Sequence, residues 1–511
     1  MKGFHCIQQL SNIRVTYSGL IAFIVGLISV ITGLVFVLIV TRRLSPEEFG
    51  TWSLIGSLIS YFVISEGIIH FWTVRQVARG EGVGKTAVLS SMFFSFAAIP
   101  FYLLIAFYIS NTSNAIFSSM LIASFTIPLY FVNKILRAIN TGHRPQATSY
   151  SLLVFESAKI PAALALVFFL DLGLDGAIIS VAIAYLITIS VQIYFAKTKL
   201  REKFSFVYLK RWIKLSWVSL YQYFSYLILT LDVLLYSVIT GSVIGVAFFS
   251  ASLAIAHIVQ HSGLISQALY PKLLSDGSHD HVSENFSLLM YFSIPLLGIS
   301  IIFSKPGLFA LNPVYFEAST IVILLAFKTF FLVIYQTLQK ALMGIDKVDL
   351  EQNPKYSSLV KSKIFMLSTI NYIKASAYIC SFVVILVMIS NMGLSELEMV
   401  TYWALILLVI EVPFLIFMWI LVQRNIHFMF PLKSTLKYIG STLAFIVIFY
   451  FTSEYILTYQ QSIYDFFPEL IAQLAICVGV YLTITYFIDK KAKILITGII
   501  REVITKNKKI D

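Results

Sequence analysis

Residues 401–422 read TYWALILLVIEVPFLIFMWILV, an apolar run whose only ionisable residue is Glu411. A helix rises 1.5 Å per residue, so about 20 apolar residues cross the roughly 30 Å of hydrocarbon in a bilayer. The run therefore predicts a helix that spans a membrane.

Comparable apolar runs recur along the whole chain. Besides the run at 396–422, they fall at about 17–40, 50–71, 86–110, 115–136, 148–170, 173–196, 213–239, 243–270, 286–304, 317–343, 364–391, 435–457 and 466–488. Hydrophobic residues make up 59% of the 511 and charged residues 12%, about half the charged share of a soluble domain. The three cysteines are scattered and indicate no disulfide framework. We predict an all-α integral membrane protein with about fourteen transmembrane helices and no domain large enough for an enzyme.

Basic residues are distributed unevenly between alternate loops. With the N-terminus in the cytoplasm, 31 of the 37 lysines and arginines lie in cytoplasmic segments, three in outer loops and three inside spans. Cytoplasmic loops of membrane proteins carry such an excess. Both termini are therefore predicted to be cytoplasmic, in a multi-pass protein of the cell (inner or plasma) membrane. The net charge of +12 then gives no indication of nucleic acid as a partner.

A basic and aromatic segment, KTKLREKFSFVYLKRWIK at 197–214, follows the sixth predicted span. We interpret it as an interfacial linker held by anionic lipid, with a solvated loop as the alternative. It separates a lobe of spans one to six (1–196) from a lobe of spans seven to twelve (215–430). Residues 431–511 then form two accessory helices, thirteen and fourteen, and a basic tail.

Weak internal similarity supports the two lobes. FGTWSLIGSL around Gly50 resembles IGVAFFSASL around Gly245, and similar span exits contain Gly142 and Gly344. Repeated lobes are a common transporter plan, with the substrate between them near mid-membrane.

Ionisable residues inside the spans are the main candidate functional residues, since each costs about 3 kcal/mol at the bilayer centre. They are Glu66, His70, Glu156, Lys159, Asp232, His257, His261, Lys328, Lys374 and Glu411. Two pairs are spaced by four residues, Glu66/His70 and His257/His261, and Glu156/Lys159 by three. Each pair is expected to share a helix face. We expect the whole set to line a common polar cavity, with structural ion pairs or hydrogen bonds between helices as the alternative.

Several local motifs resemble one transporter family. TRRLSPEEFGTWSLIGSL (41–58), RQVARG (75–80), INTGHRPQA (139–147) and LDVLLYSVITGSVIGVAFFSASLAIAHIV (231–259) are similar to segments of polysaccharide-biosynthesis flippases. These belong to the multidrug/oligosaccharidyl-lipid/polysaccharide (MOP) exporter superfamily. The resemblance implies flipping or export of a lipid-linked oligosaccharide on a polyprenyl phosphate or pyrophosphate carrier, by alternating access. It also implies membrane lipids, and a polysaccharide polymerase or glycosyltransferases, as partners, and no cofactor or metal.

The resemblance suggests roles for the buried charges. A phosphate group needs cations, so the candidate substrate-binding residues are Lys159, Lys328, Lys374, Lys134 and Arg137. The candidate residues for ion coupling or gating are Glu66, His70, Asp232, His257, His261 and Glu411.

The alternative function is a cation-coupled multidrug antiporter of the same superfamily. Such a protein more typically has twelve spans and a cavity dominated by acids, so the extra helices and the mid-membrane lysines favour the flippase. A membrane glycosyltransferase would need a larger outer loop than any in this sequence. We therefore predict that the protein is not an enzyme.

Overall fold

The computed structural model describes residues 29, 32–33, 35–63, 65–214, 216–268, 280–344, 362–494 and 497. Within these ranges the chain is helical and contains no β-strand. Most of the first predicted span, most of the segment 344–363 and most of the basic tail lie outside the described residues. The chain divides into two compact units, Met1–Phe248 with Phe382–Glu396, and Phe249–Ser381 with Leu397–Asp511.

The first unit contains eleven helices among the described residues and the start of a twelfth. They are α1 (35–43), α2 (Pro46–Val63), α3 (Glu66–Ala78), α4 (Gly84–Ser113), α5 (Phe117–Ser124), α6 (Thr126–His143), α7 (Pro145–Ala163), α8 (Gly173–Leu200), α9 (Phe206–Lys214), α10 (Ser216–Leu229), α11 (Asp232–Thr240) and the beginning of α12 (Ile244–Ala256). Helix α7 continues as a π-helix over Leu164–Phe169.

The second unit contains the remaining helices of the described chain. They are the end of α12, which continues as a 3₁₀ helix over His257–Ala268, α13 (Asp280–Ile302), α14 (Ser304–Leu311), a 3₁₀ helix over Pro313–Ala318, α15 (Ser319–Gly344), α16 (Lys363–Ser390), α17 (Glu396–Ile426), α18 (Leu432–Ile456) and α19 (Ile463–Ile488). The last nine residues of α16 and the first residue of α17 belong to the first unit.

Eleven helices of the described chain are long and apolar enough to cross a membrane, or twelve if a bent pair counts as one span. They coincide with predicted runs, for example Gly173–Leu200 with 173–196 and Glu396–Ile426 with 396–422. The protein is therefore a multi-pass membrane protein, as predicted. The count of fourteen and the side of each terminus stay predictions.

Two predicted spans are broken in the middle. Helices α2 and α3 form the bent pair, at an angle of 59°, and the seventh predicted span is divided into α10 and α11. The breaks lie side by side, because the Tyr61 hydroxyl of α2 donates a hydrogen bond to the Thr230 carbonyl oxygen between α10 and α11. Backbone groups released at a break in a membrane helix must find such partners. An acid begins the helix after each break, Glu66 in α3 and Asp232 in α11.

The last two helices pack on α13 and on each other in the second unit, with a polar contact at each interface. The Tyr481 hydroxyl of α19 donates to the Tyr291 carbonyl oxygen of α13 at 2.6 Å. The Tyr438 hydroxyl of α18 donates to the Asp489 carboxylate, also at 2.6 Å. Their accessory role stays a prediction.

Substitution of Gly50 by alanine is expected to destabilise the first unit by about 1–3 kcal/mol, the usual cost of overpacking. A Cβ at Gly50 would overlap the Val243 carbonyl oxygen, which is backbone and cannot rotate away. Gly56→Ala on the same helix is the matched control, because a Cβ added at Gly56 would meet no neighbouring atom within 4 Å. The apparent melting temperatures of the purified proteins test this. Equal values for both variants would show that α2 can move away from Val243.

The predicted orientation can be tested by cysteine labelling in intact cells, after replacement of the natural cysteines. Asn111→Cys and Ser395→Cys are expected to react with a membrane-impermeant thiol reagent, whereas Arg79→Cys and Arg144→Cys are expected to be protected. All four positions are exposed, so accessibility reports the side of the membrane. Inverted labelling after a given helix would locate a miscounted span there.

Candidate functional site

The predicted Glu66/His70 pair is present at the start of α3. The His70 Nδ1 atom lies 3.5 Å from the Glu66 Oε1 atom. Glu66 is only 2% exposed, and its Oε1 atom accepts no hydrogen bond from the described residues. A buried carboxylate oxygen without a donor is costly. The position next to the α2–α3 break is therefore suited to a bound proton or cation.

The predicted Glu156/Lys159 pair forms a direct ion pair within α7. The Lys159 Nζ atom lies 2.8 Å from the Glu156 Oε2 atom, and both side chains are buried. Thr32 donates a hydrogen bond to the same carboxylate oxygen at 3.0 Å. The ammonium also lies 4.8 Å from the ring centroid of Phe36 and 5.2 Å from that of Phe155, a cation–π arrangement. This lysine is well compensated within its own unit.

Lys134 and Arg137 occupy the second half of α6. The Lys134 Nζ atom lies 5.3 Å from the Tyr130 ring centroid, and the lysine interacts electrostatically with Glu66 and Arg137. Arg137 is exposed and Lys134 half-buried. Lys134 therefore places positive charge near the Glu66 carboxylate.

Asp232 is the first residue of α11 and is 8% exposed. Its carboxylate accepts a hydrogen bond from the Val233 backbone N–H at 2.9 Å and interacts electrostatically with Tyr61. The N-terminus of a helix favours an anion. Asp232 is thus a stabilised carboxylate beside the broken turn of its span.

A cavity of about 220 Å³ lies between α2, α6 and α8 in the first unit. Its aromatic and hydroxyl-bearing walls come from Trp52, Ser53, Ser60, Thr126, Tyr130 and Tyr185. Mostly apolar walls with a few polar groups are typical of small-molecule sites. The sequence did not indicate this cavity, because its residues are apolar or neutral like those that face lipid.

Among the described residues of the second unit, Lys374 and Glu411 form the most buried ion pair. The Lys374 Nζ atom lies 2.6 Å from the Glu411 Oε1 atom, joining α16 to α17. The ammonium also lies 4.1 Å from the ring centroid of Tyr335 on α15. The Tyr335 hydroxyl and the Gln339 side-chain amide both donate to the Asn371 side-chain oxygen Oδ1, at 2.8 and 2.9 Å. Three helices are thus connected by one polar network.

Lys328 differs from the other two candidate lysines. It is half-buried on α15, and the described residues place no carboxylate within 4 Å of its ammonium. It interacts electrostatically with His257 and with Lys374. No carboxylate of the described residues neutralises it directly, so an anion would compensate its charge.

The predicted His257/His261 pair does not lie on an α-helix. Helix α12 ends at Ala256, and His257 begins the 3₁₀ helix. With three residues per turn, positions four apart lie about 120° apart around the axis, instead of about 40° in an α-helix. The two histidines interact electrostatically, but His257 is exposed and His261 half-buried.

The predicted site residues are divided between the units. Glu66, His70, Lys134, Arg137, Lys159 and Asp232 lie in the first, and His257, His261, Lys328, Lys374 and Glu411 in the second. A cavity common to all of them stays a prediction.

Solved structures of known transporters share this fold. A structure of the lipid II flippase MurJ in an inward closed conformation has a TM-score of 0.64 and 15% identity, covering 92% of this chain and 98% of that chain. An inward-facing multidrug resistance MATE family transporter of the MOP superfamily has a TM-score of 0.59 and 11% identity, covering 80% and 98%. The MATE multidrug transporter DinF-BH, solved as a complex, has a TM-score of 0.57 and 15% identity, covering 81% and 95%. No protein-family model matches the sequence, and no curated protein matches it either.

Proposed function

We propose that this protein is a MOP-type transporter that moves a lipid-linked saccharide, carried on a polyprenyl phosphate or pyrophosphate, across the cell membrane by alternating access. The observation that carries the proposal is the environment of Lys328. It is a cation inside a span, without a carboxylate neighbour in the described structure and with His257 and Lys374 nearby. The fold shared with a lipid II flippase supports the same class of cargo.

The chemistry of such a cargo fits a lysine that has no carboxylate neighbour in the described structure. A phosphate or pyrophosphate group needs fixed positive charge to leave water, and charge-assisted hydrogen bonds are the strong ones. Lys374 is already neutralised by Glu411. Of these two lysines, Lys328 is therefore the one whose charge is available to bind an anion. The polyprenyl tail can stay in the bilayer while the polar group crosses. We assign Lys328 to phosphate binding, and Lys374 to holding the surrounding network.

The acids of the first unit fit a coupling role. Glu66 has a buried carboxylate oxygen without a donor in the described chain, and a histidine lies beside it. Protonation of either group, or entry of a cation, would change the charge at the α2–α3 break. Broken helices are where membrane transporters commonly bind coupling ions. We propose Glu66 and His70, with Asp232 at the adjacent break, as the coupling or gating residues.

A cation-coupled multidrug antiporter is the second candidate function. It is favoured by the 220 Å³ aromatic cavity, since Trp52, Tyr130 and Tyr185 could receive a lipophilic cation. The MATE multidrug transporters share the fold over about four fifths of this chain. The two functions differ in the charge of the cargo, which makes them separable by experiment.

Reconstitution of the purified protein into liposomes tests the proposal. One set contains a polyprenyl-pyrophosphate saccharide with a fluorophore on the sugar, and a membrane-impermeant quencher reports the outer leaflet. A second set measures uptake of a lipophilic cationic dye under a sodium or proton gradient. We expect the labelled saccharide to become accessible to the quencher from both leaflets, and the dye to stay outside.

The Lys328→Gln protein provides the control in both sets, because it removes the charge and keeps a polar side chain. Dye uptake without saccharide movement would contradict the flippase proposal and establish the antiporter.

A further inference from the structure

A second, smaller cavity lies between α3 and α9, at the end of α3 predicted to be cytoplasmic. It has a volume of about 60 Å³, enough for a group of a few heavy atoms. Its walls are Trp72, Arg75, Gln76, Arg79, Glu81, Arg211 and Trp212. Three arginines therefore surround a space that the transport residues do not use.

Packing fixes the position of α9 beside α3. Trp212 is fully buried, and its indole N–H donates to the Gln76 Oε1 atom at 2.9 Å. It packs in the apolar cluster that includes Ile69 and Val77 of α3. Arg211, the neighbour of Trp212, is thereby held next to the arginines of α3.

Arg75 in the last turn of α3 and Arg79, its C-cap residue, lie on one side of the end of that helix. Arg75 and Arg79 are four residues apart, which brings their side chains to the same side. The Arg75 guanidinium also lies over the Phe71 ring, 4.3 Å from its centroid. The cavity is thus lined by basic side chains from two helices.

The side chains around the cavity supply many hydrogen-bond donors but only one negative charge. Three guanidiniums face one carboxylate, Glu81, and the described residues give none of the three arginines an ion pair or a side-chain hydrogen bond. The Trp72 indole N–H, which can only donate, is buried without an acceptor in the described structure. Arginine forks match the oxygens of a phosphate group. These side chains therefore fit an anion with several acceptor oxygens.

The exposed side chains of α9 indicate how deep in the membrane this anion would lie. Phe206, Val207 and Ile213 are exposed apolar residues, and Lys210 and Lys214 are exposed beside them. A short helix that presents both apolar and basic side chains is typical of the headgroup region of a bilayer. At that depth the available phosphate groups are those of lipids.

We propose that this cavity binds the phosphate group of an anionic glycerophospholipid and that the bound lipid connects α9 to α3. The lipid is a structural ligand of the linker at 197–214 and not the transported cargo. The proposal does not depend on which substrate the protein carries.

Native mass spectrometry of the full-length protein with phosphatidylglycerol or phosphatidylcholine tests this site. We expect bound phosphatidylglycerol to survive detergent removal, and the Arg75→Gln/Arg211→Gln variant to retain it at least tenfold less. Lys210→Gln is the matched control, because it removes an exposed charge from α9 outside the cavity, and it should retain the lipid as the unmodified protein does. Trp72→Phe keeps the ring, removes the donor and should weaken retention.

Several outcomes would overturn the proposal. If Lys210→Gln loses as much lipid as the double variant, the lipid is held by general surface electrostatics and not by the cavity. If phosphatidylcholine is retained as well as phosphatidylglycerol, the site does not require an anionic lipid. Displacement by millimolar inorganic phosphate would identify the free ion as the ligand, and preferential displacement by polyprenyl phosphate would assign the site to the cargo. If the double variant is not monodisperse, Trp72→Phe and Arg79→Gln make the same comparison.

Discussion

Replacement of Lys328 by alanine or glutamine is expected to reduce transport roughly a hundredfold, to background, while the protein stays folded in the membrane. A hydrogen bond to a charged group contributes up to about 3 kcal/mol, which corresponds to that factor. The lysine lies nine residues from the start of α15 at Ser319, or roughly 14 Å along the helix. Its side chain is too short to reach that end of the helix, so the charge has to be compensated locally. Transport in the reconstituted liposomes is the measurement.

Two further variants make the Lys328 result specific. Lys328→Arg keeps the charge with a different donor geometry and should retain part of the activity. Lys433→Gln removes an exposed lysine from the same unit and should transport normally. Normal transport by Lys328→Ala would contradict the assignment and would move phosphate recognition to Lys134 and Arg137.

The helices were largely predictable from the sequence because span length is set by bilayer thickness. The run at 173–196 and the helix Gly173–Leu200 agree within a few residues for this reason. The break between α2 and α3 was not predictable, since no proline interrupts the run and Ser65, Glu66 and Gly67 at the break lie inside one continuous predicted span. Hydropathy measures where a chain is buried in lipid and does not report the direction of the helix axis.

The candidate site was predictable where both partners lie on one helix. Glu156 and Lys159 are three residues apart, so helix geometry alone brings them together. Lys374 and Glu411 are on different helices, 37 residues apart, and their contact depends on how α16 and α17 are rotated. For the histidine pair the α-helical spacing argument does not apply, because the local helix type changes at His257. Sequence spacing is informative only while the helix type stays constant.

Loss of one partner of the buried pair Lys374/Glu411 is expected to be strongly destabilising. Glu411→Ala leaves an ammonium at a site where Lys374 is 6% exposed, and an uncompensated buried charge costs about 3–5 kcal/mol. The apparent melting temperature of the purified protein is the measurement. Lys437→Ala is the control, since its ion pair with Asp489 is long, at 3.8 Å, and the lysine side chain is 40% exposed. Asp489 keeps its hydrogen bond from Tyr438 when the lysine is removed, and a long ion pair with a solvent-exposed lysine contributes about 0–1 kcal/mol.

Removal of both charges should restore the stability that the single change loses. Lys374→Met/Glu411→Leu keeps the side-chain volumes and removes the desolvation cost of two ions, and such replacements are often neutral or stabilising. If Glu411→Ala melts like the unmodified protein, water or another anion reaches Lys374, and the pair is not the structural contact described above. A double variant that is as stable as the unmodified protein and transports normally would confirm a purely structural pair. A double variant that is stable but does not transport would place Lys374 in the substrate path beside Lys328, because transport would then need the lysine charge although stability does not.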